Sequence, residues 1–226
     1  MLKTIAFFFV TIILLTSCTN NKNTQEKVLK PKTTVVLLYD ISTSNDEFAL
    51  LNENHLESIF YAIANKGGGK FYSYLIKSDS RKQEVFEYEI PALDTLELKG
   101  NQYQIKKRAK KNEEAKSKLL TTLSDFVSQA KAKIILPKTE PFTDLVNALA
   151  LAKTTLEQPN IASTNTNLLI ISDGINDLPP VDGLDKMNAV EFPNTNVVLV
   201  RPTTKGFING QPTITNSIND CITNLK

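Results

Sequence analysis

Three short, nearly unbroken apolar runs constrain this chain more than any other feature: residues 33–39, 167–172 and 195–201. A strand with one wet face alternates apolar and polar residues, whereas a continuous apolar run bounded by turn signals reads as a strand buried on both faces. Such strands need helices above and below them, and helical spacing lies between the runs. Residues 46–65 carry Phe48, Leu51, Leu56, Ile59, Phe60 and Ile63 at roughly helical intervals. Gly67-Gly68-Gly69 closes that helix. Residues 70–77 read as a strand, 83–90 as an edge strand and 91–103 as irregular. A long helix is predicted over about 107–131, with Ala115, Leu119, Leu123, Phe126, Val127 and Ala130 on one stripe. A short extended link over 133–138, a helix over 142–156 and a closing helix over 214–225 complete the pattern. Strand–helix alternation around apolar strands predicts an α/β domain built on a mostly parallel sheet. No internal repeat is present.

The first residues read as an address. A basic start at Lys3 precedes an apolar stretch over 4–15, and a polar, asparagine-rich stretch follows at once. The apolar stretch is about 12 residues, against roughly 20 needed to span a bilayer as a helix. This describes a signal peptide over 1–17 better than an anchor. Leu15-Thr16-Ser17-Cys18 resembles the lipobox of bacterial lipoproteins. That resemblance implies a diacylglyceryl group on the Cys18 sulfur and cleavage that leaves Cys18 as the new N-terminus. An ordinary signal peptide with a chance cysteine is the alternative. Lipidation implies attachment to a membrane of the bacterial cell envelope, with the domain outside the cytoplasm. Thr19 after the cysteine, in place of an aspartate, favours the outer membrane. Residues 18–32 lack anything to bury and read as a tether, leaving 33–226 as one domain.

Composition narrows the chemistry. The 226 residues include 26 basic and 24 acidic side chains, so no nucleic-acid partner is expected. A single histidine removes most zinc chemistry, and two cysteines make no disulfide framework. With Cys18 lipidated, Cys221 has no intramolecular partner. Its neighbours Ile218, Ile222 and Leu225 mark it as a core residue.

Three distant segments carry oxygen ligands: Asp40-Ile41-Ser42-Thr43-Ser44 after the first buried run, Phe142-Thr143-Asp144 at a helix start, and Ser172-Asp173-Gly174 after the second run. In open parallel sheets ligands bind beyond the carboxyl ends of the strands. Carboxylates and hydroxyls suit a hard divalent cation: Mg2+, with Mn2+ or Ca2+ open. Taken singly, each segment is also an ordinary helix cap or turn. Together they resemble the metal-ion-dependent adhesion site of the von Willebrand factor A family, Asp-x-Ser-x-Ser followed by a Thr and an Asp. The matching positions are Asp40, Ser42, Ser44, Thr143 and Asp173. The resemblance implies a three-layer, Rossmann-like, doubly wound sheet with one antiparallel edge strand. It implies direct metal ligation by Ser42 and Ser44. Thr143 would bind directly or through water, and Asp40 and Asp173 often through waters. The sixth position would take an Asp or Glu from a partner protein. Pro141-Phe142 stands where many members have Gly-Gly.

The implied function is a membrane-anchored, non-catalytic binding module. Two alternatives differ in class: a magnesium-dependent phosphohydrolase using Asp40, and a metal-independent scaffold of the same fold. Against the first, position 42 is Ser, where such enzymes want a second carboxylate. The basic run Lys106, Lys107, Arg108, Lys110 and Lys111 reads as a solvated helix start whose charge opposes the helix dipole, favouring an irregular start or an external partner. His55 receives no role.

Overall fold

The computed structural model describes residues 31–43, 50–177, 189–204 and 206–226. In chain order the elements are β1 (Thr33–Asp40), α1 (Glu53–Asn65), β2 (Gly69–Ile76), β3 (Phe86–Ile90), α2 (Gln102–Ile134), α3 (Leu145–Leu156), α4 (Pro159–Ala162), β4 (Asn165–Ile171), β5 (Val190–Glu191), β6 (Thr195–Val200), β7 (Ile208–Asn209), β8 (Thr213–Thr215) and α5 (Ile218–Thr223). The main sheet has the order β3-β2-β1-β4-β6-β8. All its pairings are parallel except β2–β3, so β3 is the antiparallel edge strand. β5 and β7 form a separate two-stranded parallel pair.

The three apolar runs become β1, β4 and β6, each with both faces covered. On β1, Val35, Leu37 and Tyr39 enter one core, and Val36 and Leu38 the other. Leu169 and Ile171 of β4 join the first, and Leu168 and Ile170 the second. This period of two is the strand pleat expressed as two cores. α1, α2 and α5 cover the first face, and α3 and α4 the second. The result is a three-layer, doubly wound, mostly parallel α/β fold, as the sequence predicts.

Several boundaries differ from the sequence reading. α1 begins at Glu53, where Asn52 and His55 form a reciprocal capping box: Asn52 Oδ1 accepts from His55 N–H, and His55 Nδ1 accepts from Asn52 N–H. His55 therefore has a capping role, and burial pushes its pKa below the usual histidine value. α2 starts at Gln102, with its own box between Asn101 and Gln104, and runs straight through the basic segment. Good helix formers and a cap outweigh the opposed dipole, so the irregular start is not found. α2 also extends through Ile134, into the expected link. α3 begins three residues later than expected, after the Asp144 cap. The closing helix is split. Thr213–Thr215, β-branched throughout, pairs with β6 as a strand, and Ser217 caps the short α5 by accepting from Asp220 N–H. Cys221 lies in the core as expected, and burial pushes its thiol up to about 12. The leader with Cys18, nearly all of the tether, Phe48 and Ser44 lie outside the described residues.

Candidate metal centre

β1 and β4 are adjacent and in register, with Tyr39 opposite Ile171. Asp40 and Ser172 are therefore delivered side by side at the carboxyl edge of the sheet. Asp40 is fully buried. Its Oδ1 accepts the Ser42 N–H at 2.8 Å, and its Oδ2 accepts the Ser172 hydroxyl at 2.7 Å. The Ser172 oxygen in turn accepts the Gly174 N–H at 3.1 Å. Burial raises the Asp40 pKa above the ordinary carboxylate value; bonds from Ser42 and Ser172 oppose the rise, and the nearby Asp173 charge adds to it.

Asp173 follows on the same loop and is largely buried. Its Oδ1 accepts the Ile175 N–H at 2.9 Å, and its carbonyl accepts Thr203 N–H at 2.7 Å. The turn after it needs glycine. Gly174 has φ +81°, and a Cβ there would lie 2.4 Å from the Thr204 carbonyl oxygen.

Ser42 is buried and forms a parallel bridge with Glu140. Thr43 N–H donates to the Glu140 carbonyl at 3.0 Å, joining the first loop to the threonine loop. Thr143 is buried and exchanges backbone bonds with Asp177 at 3.1 and 3.0 Å, joining the threonine loop to the third. Asn176 strengthens that junction: its Oδ1 accepts from Leu145 and Val146 N–H, the first turn of α3. Asp144 fixes the remaining side. It caps α3 by accepting from Asn147 N–H, and its Oδ2 accepts from Ser80 N–H at 3.1 Å. The Pro141-Phe142 sequence is compatible with this tethered loop.

The helix-cap duties are taken by other residues, whereas Ser172 and Asp173 do serve the turn at Gly174. Asp144 caps α3, so Thr143 is not the cap, and Asn52 caps α1, so Ser42 is not. Asp40, Ser42 and Asp173 meet at the sheet edge, with the Thr143 loop bonded to both neighbouring loops. Ser172 and Asp144, quoted in the sequence segments without a role of their own, and Asn176 and Glu140, not noticed there, are supporting residues. Asp144 alone carried a usable local signal, an aspartate three residues before an exposed helix amide.

The donor set fits a hard cation. Among the described residues no group of three or more His, Cys, Asp or Glu side chains gathers, so a cation here would rest on fewer carboxylates and on hydroxyls. Two carboxylates with hydroxyls remain, and a buried anion beside a second anion is the situation a divalent cation relieves.

No protein-family profile matches the chain, and no curated protein matches it. Among solved structures the chain is similar to proximal thread matrix protein 1 from the mussel byssus, at 12% identity and a TM-score of 0.38, over 87% of this chain and 47% of that one. It therefore spans about half the length of that protein. It is also similar to the manganese-loaded TRAP protein of Plasmodium vivax, at 14% identity and a TM-score of 0.43, over 88% of this chain and 74% of that one. Likeness this distant bears on neither site nor function, and the fold stands on its own strand order and register.

Proposed function

We propose that the chain is a non-catalytic binding module of the von Willebrand factor A kind. Asp40, Ser42, Ser44, Thr143 and Asp173 hold one divalent cation, and a partner protein's Asp or Glu completes its coordination. Lipidated Cys18 keeps the module at a membrane of the bacterial cell envelope. Mg2+ suits the oxygen ligands, and Mn2+ or Ca2+ would use the same set.

One observation carries this reading: the buried Asp40 carboxylate at the carboxyl end of the central strand, with Ser42 and Asp173 on the loops around it. The cation supplies an electrophilic position to which an outside carboxylate binds. The chain's own residues do the rest. Ser172 and the Ser42 amide hold Asp40 in place, and the Asp144 and Asn176 bonds fix the Thr143 loop. The same bonds argue against an Asp40 nucleophile, since both of its oxygens are engaged and neither is exposed. The chain's one histidine is committed to the α1 cap, which removes the commonest general base.

Calorimetric titration of the chain with MgCl2 tests the reading. One site per chain, lost in Asp40→Ala, is expected. No binding, or binding unchanged in that variant, defeats it. Capture of envelope proteins should also be abolished by chelator, whereas capture indifferent to chelator supports the metal-independent scaffold.

A further inference from the structure

The sheet edge opposite the candidate centre carries an arm. α2 is pinned at one end near the centre: Lys131 pairs with Glu53 at the start of α1, and Lys133 with Glu84. Tyr88, in the middle of β3, bonds to Thr122 and Asp125, and Ile90 ends the strand about one turn of α2 further on. The buried residues of α2 begin only at Leu119. Residues 102–118 therefore run on past the sheet, about 25 Å at 1.5 Å per residue. The segment before them returns along this helix. Leu93 N–H donates to the Ala64 carbonyl at the base, Asn112 makes two bonds to the backbone of Leu96, and Arg108 donates to the Glu97 carbonyl.

The tip and flanks of this arm differ in chemistry. Leu98 is 53% exposed and Tyr103 is 74% exposed on either side of the turn, with Leu96 and Ile105 also outward. Lys106, Lys107 and Lys110 follow Tyr103 on one helix face at spacings of three, four and seven. None of these lysines has an ion-pair partner among the described residues. An apolar, tyrosine-bearing tip behind a collar of unpaired lysines matches the boundary between acyl chains and anionic headgroups.

Position agrees with chemistry. Thr33 N–H donates to the Gly68 carbonyl and Asn165 N–H to the Lys32 carbonyl, so the chain enters the fold at the same end from which the arm leaves. If Cys18 is the anchor, as proposed above, the segment from Cys18 to Thr33 can reach at most about 50 Å, enough to span the arm's length.

We propose that this arm is a second membrane contact: its apolar tip enters an anionic phospholipid surface while Lys106, Lys107 and Lys110 bind the headgroups. The domain then stands on the membrane with the candidate metal centre facing away from it.

The test needs no lipid on the protein. The chain from residue 18 onward, freed of the apolar leader and carrying Cys18→Ser and Gln102→Cys, is labelled at position 102 with an environment-sensitive fluorophore, Cys221 being buried. A blue shift is expected on vesicles containing phosphatidylglycerol, at least tenfold weaker on pure phosphatidylcholine and in the triple variant Lys106→Glu, Lys107→Glu, Lys110→Glu. The same label on Glu84→Cys, at the opposite end, should stay in water. No shift at position 102, an equal shift in the triple variant, or an equal shift at position 84 overturns the proposal. So does a response to duplex DNA or an acidic peptide without one to vesicles, which would assign the lysines to a soluble polyanion. The readout is independent of metal, so failure here leaves the metal reading standing.

Discussion

Asp40 holds a buried negative charge next to Asp173, and burial raises its pKa. The folded chain thus binds the Asp40 proton more tightly than the unfolded chain does. The ionised form costs stability above the folded pKa, and that cost disappears as pH falls through it. Asp40→Asn keeps the acceptor for Ser42 N–H and removes the charge. In chelator at pH 7 this variant should melt higher than the parent, by a few °C on the order of 2–4 °C per kcal/mol. The gap should close on acidification, and a variant that melts lower at pH 7 contradicts the account. Gly174→Ala probes the neighbouring turn by a different mechanism. Its Cβ would overlap the Thr204 carbonyl and the Phe207 ring in a backbone conformation that L side chains rarely adopt. A loss of about 1–3 kcal/mol is expected in chemical denaturation, from strain alone.

At the scale of elements, α2 is joined to the sheet by one aromatic cluster and one polar clamp. Phe126 contacts Phe60, Phe71, Phe86 and Tyr88 at centroid separations of 5.2 to 6.2 Å. Phe126→Ala should cost about 3–5 kcal/mol, read as a lower denaturation midpoint. The Tyr88 hydroxyl donates to Asp125 at 2.7 Å; burial and that carboxylate push the tyrosine up to about 12, and the bond holds Asp125 below its usual value. Tyr88→Phe should therefore lower stability slightly at neutral pH, since the bond is open to solvent. The raised tyrosine means that this loss fades as pH rises through about 12, and the lowered aspartate means that it also fades as pH falls through the Asp125 pKa. A pH-independent difference would show that the clamp adds nothing. The stripe from Leu119 to Ala130 was legible because it faces this cluster. The first five residues of α2, 102–106, were not, since they bury little and their helix rests on propensity and on the Asn101–Gln104 box. β8 was hidden for the opposite reason: Ile214 and Ile218 fit helical spacing, while pairing with β6 sets the local structure.

Across the whole molecule, the main sheet was readable because unbroken apolar strands admit few architectures. The oxygen motif was readable because its residues cluster in three short segments. What fixes those segments was not. Ser172 reaches Asp40 across 132 positions, Asp144 reaches Ser80 across 64, and Asn176 reaches Leu145 across 31. Hydrogen bonds between such distant positions leave no local pattern to detect. They do imply that the three loops answer together to anything bound between them. A cation that binds the folded chain and not the unfolded one adds RT ln(1 + [L]/Kd), about 2.7 kcal/mol at a hundredfold excess over Kd. For a domain of this size that is a rise of about 5–10 °C in Tm. Scanning calorimetry with MgCl2 against chelator should show it in the parent and not in Asp40→Ala. The Ser172→Ala variant, which keeps every proposed ligand, should retain a smaller shift because Asp40 loses its fixed orientation. An equal Tm with and without the cation would leave the fold intact and remove the metal from its function.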